Sequence, residues 1–153
     1  MKKFKYSMEN LLRVKLKLED QAKIAYGNAR LRLTKEEEKL ELVERRKVSY
    51  GDELRKLRTD KLDLMKIRHA EEAIDIMKQK IIQQTAAVRN AAQRLEVAGI
   101  RLNNAMVERK TQEKLKEKAW ENYLLEFDAE ERKAVDELNS FNYSNPTPGK
   151  EDR

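Results

Sequence analysis

The chain has 153 residues, with 41% charged, 6% aromatic, four Gly, two Pro and no Cys. That length suits one domain, and the excess of Glu, Lys, Leu, Ala and Arg over turn formers points to long helices or a coiled coil. A disulfide framework and thiolate chemistry are excluded. Full disorder competes on polarity alone, but the apolar repeat described below opposes it. The net charge is +6, and its strongest local excess is in residues 1–18, with six Lys or Arg and one acid. Such an end suits an acidic protein surface, anionic lipid or nucleic acid. Met1-Lys2-Lys3 resembles the start of a signal peptide, but no apolar run follows it and no stretch is long enough to span a bilayer.

After the basic residues 1–7, Ser7 is the expected N-cap of a first helix, with Asn10 as its rival. The helix runs over about 8–58. Its seam reads Leu11, Leu18, Ala22, Ala25, Ala29, Leu33, Glu36, Leu40, Val43, Lys47, Tyr50, Leu54 and Leu57. The consecutive steps of four at Ala25, Ala29 and Leu33 predict a stutter. Gly27, beside it, reads as a weak spot costing about 1 kcal/mol against Ala. Thr59, Asp60 and Asp63 form the cap-like cluster in the middle of the chain and place a turn at about 59–64. Ser49–Asp52 is the alternative.

A second helix is predicted over about 65–140. Ile74, Met77, Ile81, Gln84, Val88, Ala91, Leu95, Ala98, Leu102 and Ala105 alternate in steps of three and four, and only Gln84 is polar. That repeat keeps one seam toward a partner helix. A turn near Asp60 supplies the partner in cis. The expected fold is therefore all-α: an antiparallel two-helix coiled-coil hairpin with a longer second helix, forming one domain over 1–140. About 20 residues of the second helix would extend past the start of the first, roughly 30 Å. Trp120, Leu124, Phe127, Ala134 and Leu138 form an apolar stripe on this overhang. A lone helix with such a stripe is docked or disordered, so this end and the basic N-terminus read as a binding element. In the rival reading Phe4 and Tyr6 fold onto the stripe and cover it. Residues 141–153 read as a disordered tail.

No catalytic, cofactor-binding or metal site is expected. His69 reads as a solvated side chain. Glu36, Glu37 and Glu38 are adjacent and point around the helix. No phosphate loop or metal spacing occurs, and a two-helix hairpin offers no water-excluding pocket for catalysis. Acids interleave with the bases beyond Leu18, which disfavours a nucleic-acid helix. The expectation is a non-enzyme with no cofactor, no small-molecule substrate, no nucleic-acid partner and no inserted membrane segment, a monomer when alone.

Two stretches carry a family resemblance. The start reads Phe4-Lys5-Tyr6-Ser7-Met8-Glu9-Asn10-Leu11-Leu12-Arg13-Val14. The second half reads Arg101-x-x-x-Ala105, Glu108-Arg109-Lys110, Glu113-Lys114-Leu115 and Lys118. It goes on with Tyr123, Glu126, Glu131, Lys133 and Asp136-Glu137-Leu138. Both resemble the flagellar FliJ family, in the family's order; Met8 stands where Leu is usual, and the middle segment has no distinctive motif. The resemblance implies a hairpin similar to the γ stalk of rotary ATPases. It also implies a place in the flagellar type III export apparatus, cytoplasmic and peripheral at the inner face of the membrane. The implied partners are the export ATPase, the large membrane protein of the export gate and export chaperones. The end bearing both termini would enter the ATPase ring and promote its assembly and hydrolysis. Phe4, Tyr6, Leu11, Leu12, Arg13, Arg109, Lys110, Lys114, Leu115 and Lys118 are the expected ring-facing residues, with Trp120, Leu124, Phe127 and Leu138 on the overhang. Ile74, Met77 and Ile81 are the expected gate contacts. The alternative is a coiled-coil spacer or dimerisation module, linked to nucleic acid through its basic end.

Overall fold

The computed structural model describes residues 2–144. They form two helices, α1 (Glu9–Thr59) and α2 (Leu64–Ser144), of 51 and 81 residues, and no strand occurs among the described residues. The fold is the antiparallel hairpin, and its second helix is the longer. Helix α2 runs through Phe141–Ser144, inside the segment assigned above to the tail. The rest of that segment lies outside the described residues.

Local chemistry explains the break between the helices. The Asp63 carbonyl accepts the Ile67 N–H at 3.0 Å, and its Oδ1 accepts those of Met65 at 3.1 Å and Lys66 at 3.4 Å. Asp63 is thus the N-cap of α2, and its charge suits the positive end of the helix dipole. At the close of α1, the Thr59 hydroxyl donates to the Lys56 carbonyl at 3.0 Å, satisfying one of the acceptors that a helix end leaves open. Arg58 reaches Glu71 across the turn at 3.1 Å. Ser49–Asp52, the alternative turn, is helical. At the start of α1 the Met8 carbonyl accepts the Leu12 N–H, so Met8 holds the N-cap position and neither Ser7 nor Asn10 does.

The chain divides into two compact units, Leu18–Met106 and Met1–Lys17 with Val107–Arg153. A hairpin has no common interior. Each stretch of helix touches only the stretch opposite it, so compactness is local.

In Leu18–Met106, cross-helix partners fall in number on α2 as they rise on α1. Tyr26 lies against Gly99, Glu36 bonds Gln84 and Arg58 bonds Glu71. All ten predicted α2 positions, from Ile74 to Ala105, are covered to some degree, with Met77 and Ala91 buried. On α1, besides Gly51 next to Tyr50, the covered residues are Glu19, Ala22, Tyr26, Ala29, Leu33, Glu36, Leu40, Val43, Lys47, Tyr50, Leu54 and Leu57. Gly51 aside, these alternate in steps of three and four without a stutter, which corrects the expectation. Tyr26 holds the position given to Ala25, and Glu19 (3% exposed) that given to Leu18 (43% exposed). The heptad phase, set by the facing helix, outweighs the hydrophobicity of a single residue. Gly27 has ordinary helical geometry and open space where a Cβ would stand.

Two of the polar seam residues, Gln84 and Glu36, meet each other. The Gln84 amide donates to the Glu36 carbonyl at 2.9 Å and also to its carboxylate. That bond is the main cause holding the Glu36 carboxyl below its usual range, and the charges of Lys39 and Arg32 act in the same direction. A polar pair inside an apolar seam specifies register, because a shifted alignment leaves both groups without partners.

Candidate interaction site

The unit that bears both termini holds most of the predicted site. Trp120, Tyr123 and Phe127 stand three, then four residues apart and share one face of α2. Trp120 and Tyr123 stack with centroids 5.5 Å apart, and Tyr123 and Phe127 lie 6.4 Å apart. Residues 2–8 precede the helix and run along this face. Phe4 sets its edge against Trp120 at 4.9 Å and packs on Tyr123 at 5.4 Å. The Tyr123 hydroxyl donates to the Lys2 carbonyl at 2.9 Å, and that of Tyr6 donates to Gln112 Oε1 at 3.4 Å.

The rival arrangement is met in part: Phe4 lies on the stripe, whereas Tyr6 bonds Gln112, and Leu124 and Leu138 stay open. Helix α2 extends further past the start of α1 than expected, but the N-terminal strap covers the first part of the aromatic stripe, so the bare part begins only after Phe127. Trp120 remains 43% exposed, Leu124 is similarly open, and Phe127 is half-buried. From Asp128 to Ser144 every described residue is exposed, Leu138 at 61%. Leu125, Val135 and Phe141 widen the bare apolar surface beyond the predicted stripe. The strap had one signal in the sequence, the aromatic pair Phe4 and Tyr6 beside a stripe in need of cover. Tyr123 as its anchor had none.

Beneath the strap the two helices meet through polar groups. Lys15 pairs with Glu108 at 2.8 Å, and Glu9 with Lys116 at 2.9 Å. Arg109 is half-buried and pairs with Glu113 at 2.8 Å along its own helix. Leu12 is buried in this seam, whereas Leu11 and Leu115 lie partly in solvent. Arg13, Lys110, Lys114 and Lys118 are exposed and have no carboxylate partner among the described residues. The three lysines, at steps of four, form a cationic stripe. Distal to Trp120 the sign reverses. Residues 121–137 carry seven acids and two bases.

The expected gate contacts lie in Leu18–Met106. Ile74 and Ile81 are half-buried and Met77 is buried, because all three belong to the seam. The apolar groups left open near the turn are Leu62, Leu64, Met65 and Ile76. They break the seam period, which is why a search for periodicity passes over them. His69 is exposed. Among the described residues no three His, Asp or Glu side chains gather to hold a metal, and no helix is long and apolar enough to cross a membrane.

Two long antiparallel helices packed along a narrow seam define a coiled-coil hairpin. The chain belongs to the flagellar FliJ family: the sequence profile described as Flagellar FliJ protein matches residues 4–147. It is a protein associated with type III export. The fold is similar to the solved structure of a YscO homolog from Chlamydia trachomatis. That match has a TM-score of 0.66 and 22% identity, and it covers 93% of this chain and 96% of the other. No curated protein matches the sequence.

Proposed function

We propose that the chain is a non-enzymatic stalk of the flagellar type III export apparatus. Its end bearing both termini enters the ring of the export ATPase and promotes ring assembly and hydrolysis. The observation that carries this reading is the bare end of α2. Residues 128–144 present Val135, Leu138 and Phe141 to solvent, and the same unit carries Arg13, Lys110, Lys114 and Lys118, which have no carboxylate partner among the described residues. An exposed apolar stripe of this kind marks an interaction site, since a lone helix gains little stability from its own hydrogen bonds.

In this reading the cations meet acids of the ring, so association weakens with salt. Leu11, Leu12 and Leu115 shape the end. A two-helix insert contacts the subunits of a symmetric ring unequally and biases one ring conformation by its differential affinity. The gate protein meets the region near the turn, through the edges of Ile74 and Ile81 and the open Leu62, Leu64 and Met65, with Met77 supporting them from the seam. Export chaperones are further partners. The protein works in the cytoplasm, peripheral to the inner face of the membrane.

The test is ATP hydrolysis by the export ATPase titrated with the full chain and with a chain ending at Phe127. That truncation keeps the aromatic cluster and removes the bare helix together with residues 145–153. Stimulation by the full chain that falls at least tenfold on truncation is the expected result. Equal stimulation by both would move the contact to the paired helices. No stimulation by either, with no ring formation at low salt, would overturn the stalk reading.

A further inference from the structure

The Leu18–Met106 unit carries a groove that the proposed stalk function does not use. Its floor is lined by alanines, the half-buried Ala22 and Ala29 and the more open Ala25 of α1, with Ala98 of α2. Alanine leaves space between the ridges of two packed helices, and here that space stays open. Leu18 and Val97 flank the floor, 43% and 47% exposed. Leu18 is free to do so because Glu19 occupies the seam in its place. The lining spans twelve residues on each helix, from Leu18 to Ala29 and from Asn90 to Arg101. That is roughly 17 Å, about three turns of a helix.

Arg94 and Arg101 stand on the rim, seven residues apart on one side of α2. Neither has a carboxylate partner among the described residues, and no Asp or Glu lines the groove. Other arginines of this unit do find acids, as Arg45 does with Glu41 and Arg68 with Glu72. Two cations are too few to track a nucleic-acid backbone. They suit two carboxylates set two helical turns apart, each accepting from a planar guanidinium.

We propose that this groove docks an acidic amphipathic helix of another protein as a third helix on the hairpin. Its apolar side chains would seat in the holes between the alanines, against Leu18 and Val97. Glutamates at seven-residue spacing along one edge would meet Arg94 and Arg101.

The probe is a labelled 18-residue helical peptide with a leucine–alanine face edged by glutamates at that spacing, compared with the same peptide carrying lysines there. Anisotropy with the full chain should show tighter binding of the glutamate peptide. The double variant Arg94→Glu/Arg101→Glu should weaken that peptide at least tenfold and strengthen the lysine peptide. Ala25→Trp should abolish binding of both by filling the floor. Ala25 is exposed, so its thermal midpoint should stay near that of the parent chain. Equal binding of both peptides, or indifference to the charge reversal, would overturn the proposal. So would sedimentation showing that the full chain self-associates and that the reversal abolishes it, since a second copy would then own the groove.

Discussion

In Leu18–Met106 the α2 side of the seam runs through Ile74, Met77, Ile81, Val88, Ala91 and Leu95, with one polar pair between Glu36 and Gln84. In the unit bearing the termini, the same spacing presents Arg109, Gln112, Lys116 and Ala119; Tyr6 bonds Gln112, Glu9 pairs with Lys116 and Lys15 with the adjacent Glu108, and an aromatic strap lies on top. The first seam is held by removing apolar area from water, which salt does not weaken. The second is held by ion pairs and ring contacts. Partly exposed ion pairs contribute about 0.2–1 kcal/mol each and are screened by salt. The terminal unit is therefore expected to be the easier of the two to open.

The comparison can be broken at three points. The largest effect is expected for Met77→Ala. It empties a buried seam position and should cost about 2 kcal/mol in urea or thermal unfolding, toward the low end for a two-helix seam. A loss below about 0.5 kcal/mol would mean that the apolar seam is not what holds that unit.

Phe4→Ala should cost about 1 kcal/mol, the worth of its ring contacts. Its sharper readout is Trp120, the one tryptophan of the chain, whose emission should shift to the red as the strap lifts. Unchanged emission would show that residues 2–8 do not rest on the stripe in solution.

The smallest effect concerns Glu36. Its carboxyl lies below the ordinary value of 4.5 in the folded chain. The stability it adds is complete at neutral pH and is lost as pH falls below 4.5 and through the lowered value. Glu36→Gln removes that charge. The stability difference between the two proteins should shrink steadily on acidification toward pH 3. A difference that grows with acid would reverse the assigned cause.

The sequence carried most of the seam but not its phase everywhere. From Ala29 onward every predicted α1 position is covered, because apolar residues there leave one consistent helical face. Before Ala29 the side chains mislead. Leu18 and Ala25 are more apolar than Glu19 and Tyr26, yet the latter pair faces α2. The cap at Asp63 was legible as residue type, since capping needs only a side chain and its next few N–H groups. Of the interaction site, the basic residues and the aromatic stripe were legible, and the strap stood as one of two readings. The openness of Leu62, Leu64 and Met65 follows no sequence period, and the seven-residue spacing of Arg94 and Arg101 does not reveal that they line a groove free of acids.

Periodicity, capping and charge bias are properties of short stretches, so the sequence by itself determined two long helices, the break between them, the antiparallel pairing and the basic start. The tertiary structure alone decided which of two adjacent residues enters the seam, that Gln84 meets Glu36, and that Phe4 lies on Trp120 more than a hundred residues away. These depend on the contour of the facing helix. A residue's own hydrophobicity sets the energy of being covered, and the neighbour's shape sets whether it is.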